Sequence, residues 1–376
     1  MENVEEKKVT WLELFYDLLF VSAVTTSTHV LIHVENGIVH PEYLFKFVLM
    51  FIPIWWSWTG QTMFTNRFGK DHINQQVFMV LQMFFVLILV SSLSVDFDQY
   101  YFSFLIGYIG IRAITAIQYL RVLRLENGHR KQVAMYLGTR FWIGIFISFL
   151  SLFFDSWMRY VILYAGIIVD IIVPILGRKY LVKAPINPAH LLERFALFTL
   201  ILFGESVIST ITILQPLSGS WHAIFFSIIT FIFIILIWLH YFHNIERKVT
   251  KHAKRAGQTI IYGHLFILMS LSMIAASIKL MYVNEVSYSY MIYFVFGSVL
   301  IYFLSTSIVF HKCKNNRLDL KINHIVLLLV ILIIIFIMNL ILIVPPIGVM
   351  IELLLFFLIV HFYSNVSMIY EKLTNR

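Results

Sequence analysis

Two carboxylates, Glu13 and Asp17, stand four residues apart in an apolar run, so on a helix they share one face. Like charges that close repel. The pair therefore predicts a cation or an arginine beside it, or one carboxyl that keeps its proton, as a proton-coupled site requires. The alternative is that both carboxylates bond to arginines or backbone near the interface and simply lock the helices. Lys46, Arg112, Arg140 and Asp170 also fall inside apolar runs. A charge in the bilayer core costs at least about 2.5–3.5 kcal/mol, so each needs a partner, a water-filled cavity or a short route to the interface. Counting helical rise from the nearest helix end sets Asp17, Arg112, Arg140 and Asp170 at one level, about 10 Å from the membrane edge. A shared level is what mutual pairing requires, and the charges sum to zero, which predicts a neutralised network.

The second half offers Glu193 and, deeper in the same run, Glu205 among Gly204, Ser206, Ser209, Thr210 and Thr212. Glu205 is the best single candidate there for a solute or proton site, with a hydrogen bond to a neighbouring helix as the alternative. Ser22, Thr25, Thr26, Ser27 and Thr28 could line an aqueous path, although hydroxyls also bond their own helix. His29 and His33 have a spacing that lets two imidazoles share a metal, but no cysteine or His-Glu-x-x-His pattern accompanies them. Cys313, the single cysteine, excludes an internal disulfide and any cysteine-built metal site. No phosphate-binding Gly-x-x-x-x-Gly-Lys loop and no Gly-x-Ser-x-Gly elbow occurs. The residues thus point to no catalytic site, no metal and no cofactor. An ion or solute path through Glu13, Asp17, Arg112, Arg140, Asp170, Glu193 and Glu205 is the expectation.

The elements that would position these groups are membrane helices. The chain is 60% hydrophobic and 13% charged, with a mean hydropathy of +0.85. A soluble domain carries about a quarter charged residues. Apolar runs of spanning length cover 11–33, 42–62, 74–93, 99–120, 133–154, 157–176, 190–214, 220–242, 257–279, 287–310, 322–343 and 346–369. The expected fold is all-α and integral to the membrane, with about twelve transmembrane helices. Lysine and arginine gather around 7–8, 67–70, 121–131, 178–183, 247–255, 312–321 and 372–376, whereas the opposite side holds only Arg159 and Lys279. Basic loops stay inside, so both termini are expected in the cytoplasm. The net charge of +8 thus reports topology and excludes a nucleic-acid role. A shift of 180 residues sets Leu12-Glu13-Leu14-Phe15 against Leu192-Glu193-Arg194-Phe195, and Trp58 against Trp238. The reading is two parallel six-helix repeats, 1–183 and 184–376. The last three runs are nearly free of ionisable residues, with His324 to Val344 almost wholly aliphatic, and read as peripheral and lipid-facing.

The stretch Glu13-Leu14-Phe15-Tyr16-Asp17-Leu18-Leu19-Phe20-Val21 resembles the Glu-Leu-Phe-Phe-Asp-Leu-Val-Phe-Val signature of the bacterial low temperature requirement A family. Glu193-Arg194-Phe195-Ala196-Leu197-Phe198-Thr199, followed by Gly204-Glu205-Ser206-Val207, is similar to that family's second signature. The resemblance covers essentially the whole chain, with Tyr16 in place of the usual phenylalanine. It implies a multi-pass protein of the bacterial cell membrane linked to growth in the cold. More loosely, helix one is similar to the first helix of the endolysosomal potassium channel family, whose Phe-Ser-Asp motif opens each repeat. Here Tyr16 replaces the serine, and Ala196-Leu197 stand where the second motif would be.

The leading expectation is a channel or transporter for a small ion or solute, with an acidic outer rim of Glu35, Glu42, Asp96, Asp98, Asp155 and Glu285 weakly favouring cations. A non-transporting scaffold or sensor, and a lipid-acting membrane enzyme, are the alternatives. The expected partners are the lipid bilayer and the transported species, and a homo-oligomer is left open.

Overall fold

The computed structural model describes residues 8–69, 73–214, 220–248, 257–283, 285–312 and 322–374 of the protein. Within them the chain is helical: α1 (Trp11–Val30), α2 (Pro41–Phe68), α3 (Ile73–Ser91), α4 (Phe97–Val122), α5 (Gly128–Leu150), α6 (Ser156–Leu176), the single turn α7 (Arg178–Leu181), α8 (Pro188–Leu214), α9 (Trp221–Lys248), α10 (Gly257–Val283), α11 (Tyr288–Lys312), α12 (Ile322–Leu342) and α13 (Pro346–Thr374). Each apolar run of the sequence overlaps one long helix. Nine helices among the described residues, α4 to α6 and α8 to α13, are long and apolar enough to cross a membrane. The protein is therefore a multi-pass helical membrane protein. Cys313, Lys7, Lys70 and the basic stretches 249–256 and 313–321 lie outside the described residues.

By internal contacts the chain divides into two compact units. Unit 1 comprises Met1–Ser27 and Val48–Arg194; unit 2 comprises Thr28–Phe47 and Phe195–Arg376. The first two turns of α8 thus count with unit 1, beyond the 183/184 division read from sequence.

In unit 1 the helices α3 to α6 pack as consecutive neighbours. Asp96 starts α4 by accepting the backbone N–H of Gln99 at 3.1 Å, which satisfies one of the helix's free donors. A Cβ on Gly144 would lie 2.7 Å from the carbonyl of Gly166, and one on Gly166 only 2.6 Å from that of Gly144. Only glycine lets α5 and α6 approach this closely, the small-residue packing typical of helices in lipid. The core is α2. Every residue from 53 to 66 is buried, and the stretch is polar: Ser57, Thr59, Gln61, Thr62, Thr65 and Asn66 follow the tryptophans 55, 56 and 58. In lipid, a polar helix is placed inside because its side chains find partners only there.

In unit 2, α10 packs on α11 and α9 on α13. The α12 helix leaves Val326, Val330, Ile333, Ile337 and Ile341 exposed, as its aliphatic sequence suggested. Helix α11 corrects the peripheral reading of the last three runs: with α10 it is the most enclosed helix of the unit. Between α1 and α2, β1 (Val34–Glu35) and β2 (Ile38–Val39) pair antiparallel through an Asn36-Gly37 turn, with φ of 52° and 78°. Positive φ at both positions is the I′ geometry that Asn-Gly favours.

Candidate functional site

The site is built on the first turns of two helices of unit 1. Thr10 and Glu13 form a capping box at the start of α1: the Glu13 N–H donates to Thr10 Oγ1 at 3.3 Å, and the Thr10 N–H donates back to Glu13 Oε2 at 2.9 Å. One turn on, Asp17 faces the same way. Pro188, suited to the first helical position, opens α8, and its first two turns present His190 and Arg194 four residues apart on one face. Arg194 bridges the two acids, Nη1 lying 2.9 Å from Glu13 Oε1 and Nη2 2.6 Å from Asp17 Oδ1. Trp58 of α2 donates its indole N–H to the same Asp17 oxygen at 2.6 Å. The cluster is shut off from solvent: Arg194 and His190 are 0% exposed, Glu13 2% and Asp17 3%.

Asn66 orients the hydrogen bonding of His190. The backbone N–H of Asn187 donates to Asn66 Oδ1 at 2.9 Å, and Asn66 Nδ2 donates to the Asn187 carbonyl at 2.8 Å, so the amide cannot be turned over. Its Nδ2 lies 3.2 Å from His190 Nδ1, which must accept. The ring proton then sits on Nε2, 3.3 Å from Glu13 Oε1. Two carboxylates thus face one guanidinium, with the His190 ring beside Glu13. Glu13 is met by Thr10, His190 and Arg194. Asp17 Oδ2 has no hydrogen-bond partner among the described residues, and neither have Glu13 Oε1, which meets Arg194 as an ion pair, and Asp170 Oδ1.

A second buried pair lies in the same unit. Asp170 of α6 accepts on Oδ2 from Arg112 Nε of α4, from the Trp56 indole N–H at 3.0 Å and from the Tyr108 hydroxyl at 3.3 Å. Gly60 of α2 makes room for it, since a Cβ there would sit 2.0 Å from Arg112 Nη1. The Arg112 guanidinium also lies 4.6 Å from the Phe141 ring centre. This pair is balanced, one positive charge against one negative.

The structure thus joins Arg112 directly with Asp170, and Glu13 with Asp17 through Arg194, which the shared level of the other charges does not point to. The single four-membered network is replaced by two clusters. Arg140 is outside both: it is exposed, with its guanidinium 5.8 Å from the Tyr136 ring centre. Lys46 pairs with Glu42. Glu193 is exposed on α8, and its neighbour Arg194 is the residue turned inward. Glu205 is buried in unit 2. The hydroxyls of α1 divide as well, with Ser27 bonded to its own helix at Val24 O, 2.9 Å away.

Residues 8–362 match the family described as bacterial low temperature requirement A protein (LtrA). The chain belongs to that family. It is also 26% identical, over 283 residues, to "Uncharacterized protein RA0937" of Rhizobium meliloti (strain 1021), covering 70% of this chain and 67% of that one. The two stretches that resemble the LtrA signatures supply Glu13, Asp17 and Arg194 to one cluster, so the signatures meet in space as well as in sequence.

Proposed function

We propose that this LtrA-family protein is a conduit for a small ion or solute across the bacterial cell membrane, coupled to protonation or cation binding at Asp17. In this reading the chain crosses the bilayer twelve times as two parallel six-helix repeats, with both termini in the cytoplasm. The observation that carries it is the charge imbalance at the first cluster. Two carboxylates share one guanidinium. A buried charge left over in this way is stable only with a proton or a cation, and in this cluster Asp17 Oδ2 is the carboxylate oxygen with neither a hydrogen bond nor an ion pair among the described residues. A cluster serving only to fasten helices would favour the balanced form seen at Arg112 and Asp170.

Proteoliposomes holding the purified full chain test this, with potassium, sodium, proton and chloride gradients applied in turn. Flux is expected for at least one of them. It should fall to background in Asp17→Asn, with an unchanged gel-filtration profile. Glu205→Gln, run alongside, tests the buried acid of unit 2. No flux under any gradient, or full flux in both variants, overturns the proposal.

A further inference from the structure

Gln118 on α4 is 2% exposed, yet neither atom of its side-chain amide has a hydrogen-bond partner among the described residues. A buried amide left unpaired is unfavourable, so a ligand that engages it gains what the fold leaves unmet. Gln118 lines a cavity of about 110 Å³ together with Phe64, Gln75, Phe78, Arg121 and Leu125, where the end of α4 meets the start of α3. That is room for several waters or for one phosphate-sized group.

Arg121 supplies the charge. Its guanidinium lies 5.4 Å from the Phe78 ring centre, held against the cavity wall, and it makes no ion pair among the described residues. Stacking of this kind leaves the N–H edges free for an anion. The nearest acid of the following loop, Glu126, is taken by Arg130 at 2.8 Å. The N-terminal end of α3 adds the positive pole of a 19-residue helix. The surroundings name the source of the anion. Val77, Leu81 and Phe84 form an exposed apolar stripe along α3, and Leu125, itself a cavity wall, is 74% exposed. Such a stripe suits acyl chains and repels a soluble anion's water shell.

We propose that this cavity binds the phosphate of an anionic membrane phospholipid, with Arg121 and Gln118 donating to its oxygens and the acyl chains lying along the Val77–Leu81–Phe84 stripe. Basic pockets between membrane helices hold such head groups by the same chemistry. The site is separate from Asp17, and its fate does not depend on transport.

The test uses the full chain in detergent, freed of lipid and titrated with dioctanoyl phosphatidylglycerol, with native mass spectrometry and the thermal midpoint as readouts. Saturable binding and a raised midpoint are expected. Affinity should drop about tenfold in Arg121→Gln, the loss of one charge-assisted contact. Gln118→Leu, which removes the unpaired amide and should fold at least as well, should bind several-fold more weakly. Dioctanoylglycerol, which lacks the phosphate, and inorganic phosphate, which lacks the chains, should both leave the midpoint unmoved. Equal binding of dioctanoylglycerol, saturation by inorganic phosphate, or undiminished affinity in both variants would overturn the assignment.

Discussion

In the interior of unit 2, Thr199, Tyr241 and His264 form a chain in which every proton finds an acceptor. His264 Nδ1 lies 2.7 Å from the Ile260 carbonyl, which can only accept, so the ring proton sits there. Nε2 then takes the Tyr241 hydroxyl at 2.9 Å, and the Tyr241 oxygen faces Thr199 Oγ1 at 2.9 Å. All three side chains are fully buried, and the chain is neutral. Unit 1 solves the same problem with charges, and at Arg194 two carboxylates meet one guanidinium. Among the described residues, Glu205 is the buried carboxylate of unit 2, whereas unit 1 buries Glu13, Asp17 and Asp170 against Arg112 and Arg194. A fold that needed only fastening could use the cheaper neutral chain throughout. The charged interior of unit 1 is where we propose that function lies.

The contrast is broken most severely by removing a buried guanidinium. Arg194→Met leaves Glu13 and Asp17 facing each other and should destabilise the folded protein by about 3–5 kcal/mol, read as a lowered thermal midpoint in detergent or as failure to purify. Asp170→Asn strands Arg112 and belongs in the same range. Asp17→Asn should cost about 1 kcal/mol or less, because Glu13 then balances Arg194 and the amide oxygen still accepts from Trp58. An Asp17→Asn protein as unstable as Asp170→Asn would erase the difference between the two clusters. In unit 2, His264→Phe leaves the Tyr241 hydroxyl without its acceptor, at about 1–3 kcal/mol. Adding Tyr241→Phe should recover part of that loss, giving a non-additive double-mutant cycle, while flux is unchanged in both. Lys46→Gln breaks a pair whose Glu42 side chain is 58% exposed and should shift stability by less than about 0.5 kcal/mol.

Much of this was legible in the residues. Apolar run length marked the long helices, the spacing of Glu13 and Asp17 marked the shared face, and Thr10 with Glu13 is a readable helix start. The partner of the two acids was not legible. Counting rise along a helix fixes depth but not the direction a side chain points, so Arg140 and Arg112 at the right level were as plausible as any arginine. Arg194 lies beyond the 183/184 division, outside the half whose charges the sequence balances among themselves. The readable signal was His190 and Arg194 at one-turn spacing after Pro188. Helix α11 departs from the peripheral expectation for a related reason: lipid is as apolar as a protein interior, so a lack of ionisable residues does not say which of the two surrounds a helix. The Asn36-Gly37 hairpin was open to reading from its dipeptide alone.

Asp17 and Arg194 are 177 residues apart along the chain. At roughly 5–20 residues per second, a ribosome needs about 10–35 s to make the second after the first. For that interval the first helix exists with two acids and no arginine to meet them, and it cannot settle among acyl chains as an ionised pair. It must wait at the membrane surface, carry protons, or shelter in the insertion machinery until α8 begins to emerge. The order of synthesis thus makes the start of α8, and not the end of α6, the moment at which unit 1 becomes complete.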